Sequence, residues 1–211
     1  REVHFPTGTE HLMEAKKRII FDEFFRFFSA LVLVKDREEQ ALNHYIIPME
    51  EPVKRFVENL PYPLTGAQKK VLNEIRQDFS DTMAMNRLLQ GDVGSGKTIV
   101  AMTAMYAAVL AGYQAALMAP TEVLAEQHYQ NFVKLLSPLG ITVALLTGST
   151  KGREKREIKE KCASGEIQIL IGTHTVIQDD VAFDNLAFIV TDEQHRFGVK
   201  QRDAFMKKGK D

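Results

Sequence analysis

The sequence lacks the cysteine pairs that form disulfides and the long apolar run that forms a membrane-spanning helix. Its 211 residues include no tryptophan and one cysteine, Cys162. A single cysteine excludes an intrachain disulfide and a zinc site of paired thiols, and it fits a reducing compartment. The most apolar stretch near the start, residues 19–34, contains charged side chains and is shorter than the ~20 apolar residues of a membrane-spanning helix. We therefore expect a cytoplasmic protein with no membrane segment.

An excess of one charge is also lacking. Lysine and arginine number 27, and aspartate and glutamate number 28, which gives a net charge of −1. The charge of the whole chain therefore predicts no nucleic acid partner. The chain begins on Arg1 rather than methionine and ends on a lysine-rich stretch, so we expect a piece of a longer protein.

Residues 1–60 differ in pattern from the rest of the chain. Apolar side chains recur there at spacings of three and four, which predicts a helix with one apolar face. They are Phe21, Phe24, Phe25, Phe28, Leu31 and Val32. We interpret this face as a core or docking face rather than a ligand site. Prolines then interrupt the chain between residues 48 and 63. We place a domain boundary near Pro61, between a helical N-terminal appendage and the domain of residues 61–211.

Short apolar runs alternate with helical segments in residues 61–211. The runs are nearly continuous in apolar character, as expected of strands buried on both faces. They cover residues 87–90, 115–119, 143–146, 167–171 and 186–191. Segment 98–111 is apolar almost all round and stops at a glycine, and an apolar stripe follows a predicted helix cap at Thr121. The pattern predicts an α/β fold in which helices cover a parallel sheet in three layers.

A glycine-rich loop lies between the first run and the first of these helices. It reads Gly91-Asp92-Val93-Gly94-Ser95-Gly96-Lys97-Thr98, which has the spacing of a nucleotide phosphate loop. Glycines let backbone N–H groups curl around phosphate oxygens, the helix dipole adds positive potential, and Lys97 adds a full charge. We expect ATP with Mg²⁺, and we expect the Thr98 hydroxyl to hold the metal. The alternative is a glycine-rich turn with an incidental lysine.

Two carboxylates, Asp192 and Glu193, follow the last apolar run. The carboxyl ends of parallel strands share one edge of a sheet, so we expect this pair beside the phosphate loop. Asp192 would hold the metal, and Glu193 would orient and deprotonate the attacking water. Taken alone, such a pair also fits a solvated turn or a helix cap. The loop upstream favours the catalytic interpretation.

Several stretches together carry a resemblance to a known family. They are Asp192-Glu193-Gln194-His195, and residues 119–128 (APTEVLAEQH), 172–174 (GTH) and 196–199 (RFGV). With the phosphate loop, they resemble superfamily 2 helicases and, among these, the RecG family of branched-DNA translocases. Transcription-repair coupling factors and primosomal restart helicases share the loop but favour a second glutamate in place of Gln194. The resemblance runs from about residue 5 to 209 and implies a P-loop NTPase domain of the RecA-like class.

The resemblance also implies roles for residues outside the loop and the acidic pair. Gln68 would contact adenine, although Thr65 and Gln68 also have the spacing of a helix capping box, which needs no nucleotide. Gln194 and His195 would couple the γ-phosphate to a partner motor domain, with a polar helix start as the alternative. The implied catalytic residues are Lys97, Asp192, Glu193, Gln194 and His195.

DNA is expected, from the same resemblance, at loops that follow other strands of the sheet. Small hydroxyls, a glycine and backbone amides suit phosphate contacts that hold DNA without reading its sequence. The matching positions are Thr121, Gly148, Ser149, Thr173 and His174. Each of them also fits a turn or a helix cap.

A motor of superfamily 2 needs more than the chain supplies. ATP in such motors lies between two RecA-like domains, and an arginine from the second is worth about 10³ or more in rate. We expect residues 1–60 to be the exit linker of an N-terminal wedge domain. Residues 61–211 would be the first motor domain, cut before the second. The chain alone should therefore bind nucleotide weakly and hydrolyse it very slowly.

The expected parent protein is an ATP-dependent DNA translocase that remodels stalled replication forks and recombination junctions. Its partners would be branched DNA and the wedge and second motor domains of the same polypeptide, with no oligomer implied. A nucleotide-binding module without motor activity is the alternative from another functional class. Glu193 distinguishes the two, because a pure binding module needs no carboxylate to activate water.

Overall fold

The structure is a computed structural model that describes residues 3–5, 7–37 and 42–197, without the side chains of residues 33–37 and 195. The chain divides into two compact units, Arg1–Leu42 and Asn43–Asp211. This division comes before the boundary expected near Pro61. Residues 43–60 belong to the second unit because Ile47 and Phe56 are buried in its core.

The first unit contains one long helix, α1 (Thr9–Arg37). The helix expected around the phenylalanines is present. Phe21 stacks on Phe25 with ring centroids 5.9 Å apart, and Phe24 stacks on Phe28 at 6.1 Å. These rings contact one another along the helix and stay more than half exposed. Within the described part of the first unit, the apolar face therefore has no core beneath it.

Three helices precede the first strand of the second unit: α2 (Glu51–Glu58), α3 (Gly66–Asp78) and α4 (Lys97–Leu110). Helix α4 is apolar nearly all round and is buried along most of its length. Helix α2 packs on it through Phe56, whose ring lies 5.0 Å from that of Tyr106. The end of α3 reaches the sheet through an edge-to-face contact of Phe79 with Phe188 at 5.2 Å. The loop before α4 is thus anchored on a rigid core.

The sheet has four parallel strands in the order β2-β3-β1-β4. They are β1 (Gln114–Met118), β2 (Val143–Leu146), β3 (Ile169–Gly172) and β4 (Leu186–Thr191). The parallel α/β fold expected from the apolar runs is confirmed. Pairing aligns Met118 with Gly172 and with Thr191, so the loops after these strands leave from one edge.

One expected strand is absent. Residues 87–90 form no strand in the described chain. Leu88 is 73% exposed, and Arg87 is held at the surface by Asp78 and Glu74 of α3. Arg87 and Leu88 therefore lie at the surface, whereas Leu89 is partly buried and packs against the core without joining the sheet.

Helices cover both faces of the sheet, as expected. Helices α4 and α5 (Glu122–Leu136) lie on the face that receives Ala115 and Leu117. Helix α6 (Gly152–Ala163) lies on the other face with Ala116 and Met118. Successive strand side chains point to opposite faces, so the four apolar residues of β1 serve both cores. Short 3₁₀ turns cover Ser137–Leu139, His174–Ile177 and Gln194–Arg196. None of the helices described here has the length and apolarity that crossing a membrane requires.

Candidate nucleotide site at the carboxyl edge of the sheet

The glycine-rich loop has the backbone that its sequence predicts. Gly94 and Gly96 adopt φ angles of 80° and 76°, in the left-handed region that residues with a Cβ rarely enter. Gly96 is also the N-cap of α4, so the loop runs directly into the helix. A Cβ at Gly91 would lie 2.8 Å from the Ser95 hydroxyl oxygen. The loop curls tightly at the positive end of a helix, where an anion is stabilised.

Lys97 lies within the curve of this loop. Its ammonium donates hydrogen bonds to the carbonyl oxygens of Gly91 at 2.7 Å and Asp92 at 2.8 Å. The side chain is therefore folded over the same backbone that would surround a phosphate. Val93, at the tip, is fully exposed. The loop thus offers an open approach to a triphosphate and a cation to meet it.

Gln68 is tied to both α3 and the phosphate loop. The Gln68 side-chain oxygen accepts a hydrogen bond from the Thr65 backbone N–H at 2.8 Å, and the Gln68 backbone N–H donates to the Thr65 hydroxyl at 3.3 Å. The capping box considered as the alternative is therefore formed. The amide nitrogen of the same side chain donates to the Ser95 carbonyl at 2.9 Å. Gln68 connects the start of α3 to the loop, and its contact with adenine stays a prediction.

Asp192 lies at the end of β4 with both carboxylate oxygens engaged. Its N–H donates to Met118 O at 2.9 Å, so the β-ladder continues to this residue. Oδ1 accepts the Glu193 N–H at 2.9 Å, and Oδ2 lies 2.7 Å from His128 Nε2. The His128 hydrogen bond lowers the pKa of Asp192, more than partial burial raises it, and the Lys97 charge contributes to the lowering. The lowered pKa of Asp192 therefore depends chiefly on His128.

Glu193 is held in a strained conformation. Among the residues that the structure describes, Glu193 is the one non-glycine residue with a positive φ angle, which is 46°. Such backbone costs about 1–3 kcal/mol and is found at functional sites. Its Oε2 lies 2.8 Å from Arg196 Nε, yet this atom is buried and makes no aligned hydrogen bond. We interpret the contact with Arg196 as an ion pair, which holds the Glu193 carboxylate in place.

Gln194 and His195 follow in the 3₁₀ turn Gln194–Arg196. Gln194 is exposed, so its side chain can reach a neighbouring domain. The side chain of His195 lies outside the described residues. Their coupling role stays a prediction.

The loops predicted to contact DNA leave from the same edge of the sheet. Thr121 caps α5, because its hydroxyl accepts the Leu124 N–H at 3.3 Å. Gly148, Ser149 and His174 are exposed. Thr173 differs, since it is 4% exposed and its N–H donates to Leu146 O at 3.4 Å. Thr173 therefore shapes the loop from beneath, and its direct contact with DNA stays a prediction.

The exposed loop after β2 is joined to the start of α5. Glu122 Oε1 accepts the N–H of Ser149 at 3.1 Å, and a Cβ at Gly148 would lie 2.9 Å from the same oxygen. A carboxylate thus bonds to one of the backbone N–H groups predicted to hold a DNA phosphate. No local pattern indicates this contact, because it joins residues of separate loops.

A comparison with family models decides the class. The model described as DEAD/DEAH box helicase matches residues 65–210, which is more than half of the chain. The chain belongs to the DEAD/DEAH box helicase family. The match spans the phosphate loop and the acidic pair, and it begins at the Thr65 cap of α3.

Curated relatives of this DEAD/DEAH box helicase chain agree. It is 49% identical to the ATP-dependent DNA helicase RecG of Bacillus subtilis (strain 168), across all of the chain and 31% of that protein. It is 48% identical to RecG of Synechocystis sp. (strain ATCC 27184 / PCC 6803 / Kazusa), across 99% of the chain and 25% of that protein. The chain therefore spans less than a third of the length of these relatives.

Solved structures agree with the fold. The structure of RecG bound to a three-way DNA junction matches 90% of this chain and 26% of its own, at 44% identity and a TM-score of 0.76. The UvsW helicase of bacteriophage T4 matches 74% of this chain and 55% of its own, at 17% identity and a TM-score of 0.52. The second match supports the shared fold alone.

The donor groups of this helicase domain fit a magnesium ion bound together with a nucleotide. Thr98 begins α4 beside Lys97, and Asp192 stays ionised because its pKa is lowered. Within the described ranges, no cluster of three or more histidine, cysteine, aspartate and glutamate side chains could hold a metal alone. Mg²⁺ is commonly held by one or two protein oxygens together with substrate phosphates. Thr98 and Asp192 would supply those protein oxygens here.

His128 is a residue of this helicase domain that sequence reasoning did not select as part of the site. It lies within one of the stretches that resemble the family, residues 119–128. A signal was available, because a histidine lies on the apolar stripe of α5 between Ala125 and Phe132, and both neighbours are buried. What no pattern could reveal is its partner Asp192, which is distant in sequence.

Proposed function

We propose that this chain is the first, ATP-binding motor domain of an ATP-dependent DNA translocase that acts on branched DNA such as stalled forks and recombination junctions. The observation that carries the proposal is the phosphate loop, in which the left-handed Gly94 and Gly96 lead directly into α4 and Lys97 folds over the loop backbone. Asp192 and the strained Glu193 follow the end of β4. Similarity to RecG over nearly the whole chain supports the substrate class.

The residues of the site divide the work of phosphoryl transfer. The N–H groups of the loop and the start of α4 surround the phosphates, and the Lys97 ammonium leaves its two carbonyl partners to neutralise charge on them. Thr98 and Asp192 would hold Mg²⁺, which when bound supplies positive charge beside the phosphate oxygens. The Glu193 carboxylate would take the proton of the attacking water.

Hydrolysis at a useful rate requires a further domain. The phosphate loop lies open at Val93, which is fully exposed. A second RecA-like domain that closes on this edge would supply an arginine and exclude water. We expect the chain alone to bind nucleotide weakly and to hydrolyse it very slowly. Turnover by the chain alone that matches the full-length protein would contradict this.

The test is an ATPase assay of the full-length protein that contains this chain, with forked DNA. Lys97→Ala and Glu193→Gln are each expected to lower the DNA-stimulated rate by at least about tenfold, because each removes a group that acts on the transition state. Glu193→Gln should still bind ATP, whereas Lys97→Ala should bind it weakly. Lys54→Ala removes an exposed cation on α2 and serves as the matched control. Unchanged turnover in both site variants would refute the site assignment.

A nucleotide-binding module without motor activity would behave differently in the same assay. It would bind ATP without turnover that rises on adding forked DNA, and Glu193→Gln would then change nothing. Unwinding of a labelled fork by the wild-type protein, lost in both site variants, is the result expected of the translocase.

A further inference from the structure

The imidazole of His128 is buried at the junction of α5 and the carboxyl edge of the sheet. It is 8% exposed, and α5 packs Ala125, Phe132 and Leu136 from the same stripe into the core. A polar ring at such a position loses hydration, and a hydrogen bond has to replace that hydration. The partner is Asp192 Oδ2, at 2.7 Å from Nε2.

The neighbouring positions on the same stripe, Ala125 and Phe132, are buried and apolar. Packing against the core therefore does not by itself require an imidazole at this position. The histidine is useful for what it does to Asp192. It fixes Oδ2 while the Glu193 N–H fixes Oδ1, so the carboxylate cannot rotate freely about its χ2 bond.

A carboxylate held in this way keeps acceptor capacity for a metal. Each of its oxygens has two lone pairs, and each of these two hydrogen bonds uses one of them. Magnesium demands near-ideal octahedral geometry, so a ligand that is already oriented binds it with less loss of entropy. Partners that orient ligands commonly contribute tenfold to a hundredfold in metal affinity or activity.

We propose that His128 is a positioning residue, which orients the carboxylate of Asp192 for the metal of the ATP site through its Nε2–H hydrogen bond. This inference rests on the proposed function for its place in catalysis. The hydrogen bond to an orienting group, rather than the bulk of the ring, carries the effect. Replacement by an aromatic ring without a donor should therefore differ from replacement by an amide.

The first experiment measures metal binding rather than turnover. Mn²⁺, which is visible by electron paramagnetic resonance, is titrated into the full-length protein saturated with a non-hydrolysable ATP analogue. His128→Phe keeps a ring but no donor, and should weaken Mn²⁺ binding by about tenfold. His128→Gln carries an amide N–H donor, and should recover most of the affinity. Binding of the analogue in EDTA should be the same in all three proteins.

Two controls separate orientation from packing. In an Asp192→Asn background, His128→Phe should change Mn²⁺ affinity by less than about twofold, because two groups that act as a unit are not additive. Tyr129→Phe, also on α5, should leave Mn²⁺ affinity unchanged. Equal losses in His128→Phe and His128→Gln, or wild-type Mn²⁺ affinity in His128→Phe, would overturn the proposal. If His128→Phe does not fold, His128→Asn replaces it, since the shorter amide carries a donor that falls short of Oδ2.

The ATPase assay with forked DNA then distinguishes this inference from the proposed function. His128→Phe should lower kcat by about tenfold and raise the Mg²⁺ concentration for half-maximal rate, with little change in KM for ATP at saturating Mg²⁺. If the wild type is active and His128→Phe is equally active, the role of His128 is overturned, whereas the proposed function stands. A wild type without DNA-stimulated turnover overturns the proposed function, and the Mn²⁺ titration still decides whether His128 orients Asp192.

Discussion

The two edges of the sheet differ in how completely their buried polar groups are hydrogen-bonded. At the amino edge, the buried side chain of Gln114 is fully satisfied. Its amide nitrogen donates to the carbonyls of Cys162 and Ile167, and its oxygen accepts the N–H groups of Asp184 and Asn185. At the carboxyl edge, Glu193 has a left-handed backbone, and its buried oxygen Oε2 is attracted to the Arg196 cation without an aligned hydrogen bond.

This difference separates a structural edge from a functional one. A buried group that only supports the fold is most stable when every donor and acceptor is paired. A group that must bind a ligand or accept a proton needs unused capacity, and the surrounding fold bears that cost. The amino edge joins the end of α6 to the starts of β1, β3 and β4, and the carboxyl edge holds the phosphate loop and the acidic pair.

The largest expected effect comes from breaking the amino edge. Gln114→Leu keeps the size of the side chain but leaves two carbonyl and two N–H groups without this partner. The Cys162 carbonyl keeps the Gly165 N–H at 3.2 Å, and Asp184 is exposed to solvent. At about 1–3 kcal/mol for each buried group left unsatisfied, the loss should be about 3 kcal/mol. Urea denaturation followed by circular dichroism measures it.

The matched control is Gln130→Leu on the exposed face of α5, where the glutamine bonds only to Glu126 at 3.0 Å. It should change the free energy of unfolding by less than about 0.5 kcal/mol. Equal effects of Gln114→Leu and Gln130→Leu would show that the amino edge is not held together by Gln114.

The second prediction concerns strain at the carboxyl edge. Glu193→Asn places a residue that tolerates the left-handed region at the position with φ 46°. It should stabilise the protein by about 0.5–1 kcal/mol, as substitutions that relieve strain at active sites do. ATP hydrolysis should be lost at the same time. Thermal unfolding and the ATPase assay measure the two effects.

Glu193→Gln is the matched control for the same position. It removes the same charge without any preference for the left-handed region, so hydrolysis should be lost and stability should stay near that of the wild type. A stability gain shared by both variants would assign the effect to charge and not to backbone strain.

Features of the fold and site were predictable from the sequence where they depend on residues that are close together in the chain. Strands such as residues 143–146 were predictable because apolar character on both faces is a local property. The capping box of Thr65 and Gln68 was predictable for the same reason. The prediction of a strand at residues 87–90 was wrong. Two adjacent leucines fit the pattern of a strand, but the sequence pattern does not show that Arg87 forms an ion pair with α3.

The rest of the site depends on contacts between distant segments. The bond of His128 to Asp192 and that of Glu122 to Ser149 arise when separate loops meet at one edge of the sheet. The register of the strands brings them together, and a single sequence does not encode register in any local pattern. The left-handed backbone of Glu193 was also not predictable from a local pattern, because glutamate has no preference for that backbone conformation.

The smallest expected effect concerns the loop after β2. Glu122→Gln keeps an acceptor for the Ser149 N–H but removes a negative charge from the position where a DNA phosphate is proposed to bind. The proposed phosphate then meets less repulsion, so the affinity for forked DNA should rise by about twofold to fivefold at low salt, within the ~1 kcal/mol typical of exposed charge pairs. Fluorescence anisotropy at several salt concentrations measures it, and the gain should shrink as salt rises. Glu126→Gln removes the same charge from the next turn of α5, where the carboxylate accepts a hydrogen bond from Gln130 rather than from Ser149, and it should change the affinity less. A gain of equal size in both variants would mean that DNA responds to the overall charge of α5 rather than to the N–H group that Glu122 occupies.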